Sequence, residues 1–276
     1  MALNWITNYR ENNFWLIGLL PIGGLLIGLL YHYYGKDVVK GNNLLLEEYE
    51  NPKKTIPLLM APLVLIGTLI THLVGGSAGR EGTAVQMGGA IADQFVTLFK
   101  LNTDERKTLL IMGISAGFAS VFGTPLAGAL FALEVLYFSR INYRGILTSF
   151  LVAYIAYFTV ELWKVKHTHY SISFVPTLSL TNLFWILIVG ILFGLAAMLF
   201  SKTTHYWQGL FSKLIKYPPF RPFIGGIILA LSFYLIGNTK YIGLGVPIIV
   251  DAFYQANANY DFLLKILFTG FTLGCG

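Results

Sequence analysis

Gly75-Gly76-Ser77-Ala78-Gly79-Arg80-Glu81-Gly82-Thr83 lies between the apolar run Ile56–Val74 and the helix-compatible Ala84-Val85-Gln86-Met87-Gly88-Gly89. Glycines permit positive φ and let backbone N–H groups come close to a ligand. A loop of this kind that runs into a helix N-terminus attracts anions, because unpaired N–H groups and the helix dipole both favour negative charge. Between runs of membrane length, irregular backbone is tolerated only where it lines a cavity or is buried in protein. Glu81 is then the residue to explain. An ionisable side chain within a span costs at least about 2.5 kcal/mol, which makes it a functional candidate by default. When charged, its carboxylate competes with a permeant anion for the N–H groups; when protonated, it lets go. One side chain would thus act as gate and as proton carrier. The bland alternative is an interfacial Arg80–Glu81 ion pair, but consecutive residues do not face each other on a helix.

The surrounding sequence places this loop in a membrane. Hydrophobic residues make up 55% of the 276 positions and charged residues 12%, about half the charged share of a soluble domain. The apolar residues gather in blocks such as Phe14–Leu30, Ile56–Val74 and Leu183–Phe200, each near the roughly 20 residues a crossing helix needs. The 19 Lys and Arg outnumber the 13 Asp and Glu and fall mostly in connections, at 36–54, 102–107, 164–166 and 202–221. That distribution fits headgroup contact and cytoplasmic retention, not nucleic-acid binding. Trp15, Tyr31, Tyr34, Trp163, Trp185 and Trp207 lie at block ends, as in an interfacial aromatic belt. A lone Cys275 excludes an intrachain disulfide and any cysteine metal cluster. The stretch before the first span has no basic region typical of a cleaved signal peptide.

No period-2 alternation appears, so the expected class is an all-α integral membrane protein. Helices are predicted near 14–34, 56–75, 83–99, 107–122, 125–139, 144–163, 181–201, 221–236, 246–255 and 260–273, with shorter amphipathic pieces near 43–50 and 205–216. An internal repeat is visible. Pro21-Ile22-Gly23-Gly24 resembles Phe223-Ile224-Gly225-Gly226, a shift of 202 positions from Gly23 to Gly225. Gly41 to Tyr49 resembles Gly245 to Phe253, a shift of 204 from Gly41 to Gly245. The expected organisation is therefore an N-terminal cytoplasmic or interfacial segment (1–13), a first repeat holding the glycine-rich loop (14–180), and a second repeat (181–276) that stops short of its own site loop. In repeat-built transporters, interrupted helices of the two halves meet near the midplane to form the site.

Gly79-Arg80-Glu81-Gly82 resembles the GREGP signature of the CLC chloride channel and transporter family, with Thr83 in place of proline. Phe122-Gly123-Thr124-Pro125-Leu126-Ala127-Gly128, followed by Glu134, resembles the family's N-A-P-L-A-G…E segment. The similarity runs from about Phe14 to Gly276. It implies inverted broken-helix repeats, a homodimer, and one anion pathway per subunit with Glu81 as gating and proton-transfer residue. It also implies anion contacts at Gly41, Asn42, Asn43, Gly79, Arg80 and Gly82. The family's GSGIP loop aligns with Gly41-Asn42-Asn43-Leu44-Leu45, so Asn42 replaces the serine. That replacement, with Thr83 after the glutamate, resembles the bacterial fluoride/proton antiporter branch. An amide offers two N–H donors where a hydroxyl offers one, an advantage for small, strongly hydrated fluoride; Asn42 and Asn43 equally suit a helix cap. Val135 stands where many proton-coupled members carry a further glutamate.

Four more residues are candidates for the pathway: His72, Thr83, Phe118 and Phe122. His72 could hydrogen-bond the loop, border the proton route or be structural, and the phenylalanines, with Phe131, could face anions with their ring edges or simply pack. His167 and His169 read as a solvated connection, and Glu47, Glu48 and Glu50 as a solvated helix face. No nucleophile–base set, Walker loop or paired carboxylates appear, so no enzyme, cofactor or metal is expected. The leading expectation is proton-coupled fluoride export across a bacterial inner membrane by a homodimer of the CLC type, with fluoride or chloride, protons and the bilayer as partners. A chloride/proton antiporter, an uncoupled CLC channel and a non-transporting membrane scaffold are the alternatives.

Overall fold

The computed structural model describes residues 2–136, 143–168, 175–237, 239–255, 257–258 and 260–276. Among these residues the chain is helical and contains no strand: α1 (Ala2–Glu11), a 3-10 turn (Phe14–Leu19), α2 (Leu20–Tyr34), α3 (Asn42–Glu50), α4 (Met60–Leu73), α5 (Glu81–Phe99), α6 (Thr103–Phe122), α7 (Pro125–Val135), α8 (Tyr143–Leu162), α9 (Leu180–Leu214), α10 (Phe220–Ile236), α11 (Val246–Asp251) and α12 (Asp261–Cys275). Among the described residues, three helical stretches are long and apolar enough to cross a membrane: Phe14–Tyr34, Gly145–Leu162 and Leu180–Leu214.

Local chemistry sets many of the boundaries. The Asn102 side chain accepts from the Asp104 and Glu105 N–H groups while Glu105 accepts from the Asn102 N–H, a reciprocal capping box that opens α6. Gly123 closes α6 in the left-handed region at φ 68°, and Pro125 then opens α7 at a position that needs no N–H donor. Several elements depart from expectation, among them α1, a helix where none was predicted. α9 is one 35-residue helix, Leu180–Leu214, that takes in most of the predicted separate piece at 205–216; the polar residues from Ser201 to His205 change its surface without supplying a helix breaker. α11 ends at Asp251, short of the predicted 255.

The chain divides into two compact units, Leu30–Leu69 with Gly79–Thr168, and Ala2–Leu29 with Ile70–Ala78 and His169–Gly276. In the first, α5 and α6 approach backbone to backbone. A β-carbon on Gly88 would run into the Gly113 carbonyl, one on Gly113 into the Gly88 carbonyl, and one on Gly117 into the Ala84 carbonyl. Small residues make such close helix packing possible where lipid offers no hydrophobic drive. Around this contact, Leu45, Ile56, Met60, Val85, Leu110, Ile111 and Ile114 form a buried core.

In the second unit, Ile17, Leu20, Phe211, Leu229, Phe233, Phe268 and Phe271 form the core. Trp207, expected in the interfacial belt, packs edge-on against Phe271 with ring centroids 4.7 Å apart. The repeat also reappears here as reciprocal packing. A β-carbon on Gly24 would strike the Pro222 carbonyl, and one on Gly226 would strike Pro21 and Leu20. Equivalent glycines of the two sequence copies thus receive each other's helix, the pattern a pseudo-two-fold relation produces. The second pair of the repeat agrees: Gly41 and Gly245 each stand at a helix N-cap with positive φ, 57° and 74°.

Candidate functional site

The first unit brings the start of α3 to the start of α5. Arg80 is the N-cap of α5 and Gly41 that of α3, and neither helix has a side-chain cap hydrogen bond. No side chain caps the first turn of either helix; the Asn43 and Leu44 N–H groups of α3 donate instead to the Lys40 and Gly41 carbonyls, and the Ala84 N–H of α5 to that of Arg80. A β-carbon on Gly82 would stand 3.4 Å from Asn42 Nδ2 and 3.8 Å from Gln86 Nε2, and one on Gly41 would stand 3.2 Å from Gln86 Nε2. Two glycines, two carboxamides and two positive helix ends thus meet in one place. Asn42 and Asn43 are both exposed, and the cap position itself belongs to Gly41.

Glu81 is the first residue of α5, where a carboxylate is favoured by the dipole. Its side chain is exposed and folds back over Gly79, its carboxylate oxygen taking the place a β-carbon would occupy. Gly79 therefore gives room to the carboxylate beside the helix start. Arg80 turns the other way, its Nη2 donating at 3.4 Å to the Val121 carbonyl near the C-terminus of α6. Thr83 Oγ1 lies 2.5 Å from Thr68 Oγ1. Thr68 donates to the Val64 carbonyl, which leaves Thr83 as the donor in a bond that ties α5 to α4. Phe118, Phe122 and Phe131 form one cluster, with centroid separations of 4.5 Å (Phe118–Phe122) and 4.3 Å (Phe118–Phe131).

Below the meeting point, a buried charge network fixes α3 against α5 and α6. Arg106 donates through Nε to Asp93 Oδ1 and through Nη2 to Asp93 Oδ2, both at 2.7 Å, and through Nη1 to Glu48 Oε2 at 3.1 Å. Glu48 also accepts from the Lys53 and Lys54 N–H groups, and Asp93 from the Ile56 N–H. Glu48 is consequently buried, which corrects the reading of 47, 48 and 50 as a uniformly solvated face; Glu47 and Glu50 are exposed. Burial opposes the charge of Glu48, but the two N–H groups and Arg106 outweigh it and hold the carboxyl below the usual glutamate range. The network escaped sequence analysis, although Asp93 within an otherwise apolar helix was a visible sign of it.

His167 requires a second correction. Its ring lies against Gly123, where a β-carbon would stand 2.6 Å from Cδ2, and its Nε2 is buried, so it is no freely solvated loop residue. His169 lies outside the described residues.

In the second unit, the first half of the glycine stretch is pinned by polar contacts. Lys265 Nζ donates to Ser77 Oγ at 3.0 Å and to the Tyr241 and Gly243 carbonyls at 3.1 and 2.7 Å. Ser77 Oγ also lies 2.9 Å from Thr269 Oγ1, and the Gly243 N–H donates to the Gly76 carbonyl. His72 is fully buried; its backbone carbonyl accepts from Arg10 Nη1 at 3.0 Å. Sequence reasoning missed Arg10 and Lys265, because each acts on a group far away along the chain, the His72 carbonyl and the Ser77 hydroxyl.

The model of the family described as voltage gated chloride channel matches residues 23–276. A "Chloride/fluoride channel protein" of Pseudomonas syringae pv. tomato is 47% identical over 282 residues, a match that covers 100% of this chain and 62% of that protein. The "H(+)/Cl(-) exchange transporter ClcA" of Vibrio campbellii is 28% identical over 268 residues, covering 93% of this chain and 56% of the relative. This chain thus spans less than two thirds of the length of these relatives. The crystal structure of a CLC-type fluoride/proton antiporter superposes with a TM-score of 0.94 at 33% identity, covering 99% of this chain and 70% of that one. The helical architecture, the glycine-rich start of α5 and the family match over nearly the whole chain lead to one assignment: this chain belongs to the voltage-gated chloride channel (CLC) family.

Proposed function

We propose that the chain carries the gate and part of the anion site of a proton-coupled fluoride exporter in a bacterial inner membrane, acting as a homodimer. The observation that supports this most directly is the meeting of the starts of α3 and α5, where Asn42, which by resemblance replaces the family's serine, lies beside Gly82. A carboxamide adds a second N–H donor, which suits an ion whose hydration shell is costly to replace. Glu81, beside these N–H groups, is the gate: its carboxylate competes with the anion when charged, and its protonated form carries the proton. The 47% identical relative named for chloride and fluoride and the similar fluoride/proton antiporter favour fluoride.

The test is simultaneous recording of anion efflux and pH in liposomes containing the full-length protein. Fluoride efflux with opposed proton movement is expected, and Glu81→Gln removes the proton component. Equal fluoride and chloride rates defeat the selectivity claim. Anion flux without proton movement in the unaltered protein leaves a channel, and coupled exchange that survives Glu81→Gln removes Glu81 from the mechanism.

A further inference from the structure

Gln86 lies one turn inside α5, four residues after Gly82. Residues spaced by four share a helix face, and side chains lean toward the helix N-terminus. A long side chain at position 86 therefore comes to rest over Gly82, where the missing β-carbon leaves space. The geometry agrees: the Gln86 amide nitrogen is 3.8 Å from the β-carbon position of Gly82 and 3.2 Å from that of Gly41. It thus stands between the opening residues of two helices, opposite Asn42. Neither carboxamide is held by a hydrogen bond to another described residue. Gln94, two turns further along the same helix, behaves differently: its Nε2 donates to the Ile56 and Ala90 carbonyls at 2.8 and 2.7 Å. A glutamine on α5 thus donates to protein acceptors where they exist, and at Gln86 the N–H donors are left for something else.

We infer that Gln86 is a specificity-determining residue of the anion site, donating a carboxamide N–H to the permeant anion from the side of α5 opposite Asn42. This rests on the reading of the site as a fluoride pathway. Small anions with tightly held water gain most from each added donor, whereas larger halides need fewer close contacts. Two carboxamides from two helices supply up to four N–H groups in addition to the backbone. Their side chains can rotate with the ion as it enters and leaves, which fixed backbone N–H groups cannot do.

The experiment uses the full-length protein in liposomes and reads fluoride and chloride efflux separately, with pH recorded. The unaltered protein and Glu81→Gln are measured first. Proton-coupled fluoride efflux that Glu81→Gln uncouples upholds the underlying reading; absence of fluoride efflux from the unaltered protein overturns that reading and the role of Gln86 with it. Gln86→Met keeps the length of the side chain and removes both donors. The expected result is a fall of about tenfold in the fluoride-to-chloride rate ratio, the scale of one lost hydrogen bond to a charged partner. An unchanged ratio, with Glu81→Gln still uncoupling, overturns the assignment of Gln86 alone. Gln86→Glu is nearly isosteric and guards against misfolding of the methionine variant. Its negative charge beside the anion is expected to slow both ions by at least about tenfold, and flux equal to that of the unaltered protein again overturns the assignment.

Discussion

α3 and α5 carry two polar clusters in contrasting states. At the helix starts, the Asn42 and Gln86 carboxamides have no hydrogen-bond partner among the described residues, beside Gly41 and Gly82. Farther along the same pair of helices, Glu48 and Asp93 are saturated by Arg106 and by backbone N–H groups. One stripe of α5, formed by Gly82, Gln86, Gly89 and Asp93, runs from the open cluster to the closed one, and Leu45 of α3 fills the space above Gly89 between them. The difference separates scaffold from site. A closed cluster holds helices at a fixed spacing because every buried charge has partners; an open one at the end of that rigid frame keeps its donors for a ligand without collapsing onto itself.

The comparison breaks most severely at Arg106. Arg106→Met leaves two buried carboxylates without their guanidinium, and loss of one partner from a buried ion network costs about 3–5 kcal/mol. Thermal unfolding of the full-length protein in detergent should fall accordingly, and a midpoint equal to that of the unaltered protein would show the cluster to be dispensable. Gly82→Ala sharpens the contrast from the other end. Its new β-carbon meets only ordinary contacts with Asn42 and Gln86, and alanine favours a helix by roughly 1 kcal/mol over glycine. Stability should hold or rise while fluoride efflux slows, since the methyl group occupies space the anion needs; undiminished efflux would place the ion elsewhere.

The smallest expected effect concerns pH. The Glu48 carboxyl is held below its usual range in the folded chain. Its contribution to stability is therefore complete above the unfolded glutamate value, about 4.3, and is lost as pH falls through the lower folded value. Thermal midpoints measured across that acidic window should decline less steeply in Glu48→Gln than in the unaltered protein. Parallel declines would assign the acid sensitivity to other carboxylates.

Sequence reasoning succeeded where the signal was local. Gly79 to Gly82 reads as a loop entering a helix predicted from about 83, and α5 does follow the loop, beginning slightly earlier at Glu81. The proline of α7 marks its start, as expected at 125, whereas α6 opens at Thr103, before the expected 107, because of the Asn102–Glu105 capping box. The repeat between Gly23-Gly24 and Gly225-Gly226 reappears as reciprocal helix contacts. It failed where partners are distant. Glu48 looked solvated because its neighbours Glu47 and Glu50 are; Arg106, 58 positions away, changes that. His167 looked like a polar connection until Gly123 came under its ring. Gln86 carried only a weak hint, its spacing of four from Gly82, since the other wall of its pocket is Gly41.

By itself the sequence determined the solvent and the class: apolar blocks of span length, helical in period, with a glycine-rich loop and one glutamate at a helix start. Those properties follow from hydrophobicity and backbone preference, which each short segment carries within it. Only the tertiary structure decided that the start of α3 meets the start of α5, and so which amides stand together and which carboxylates are buried. Glycine contacts and a shared arginine set that pairing, and their energies exist only once residues some 40 to 60 positions apart have been brought into contact.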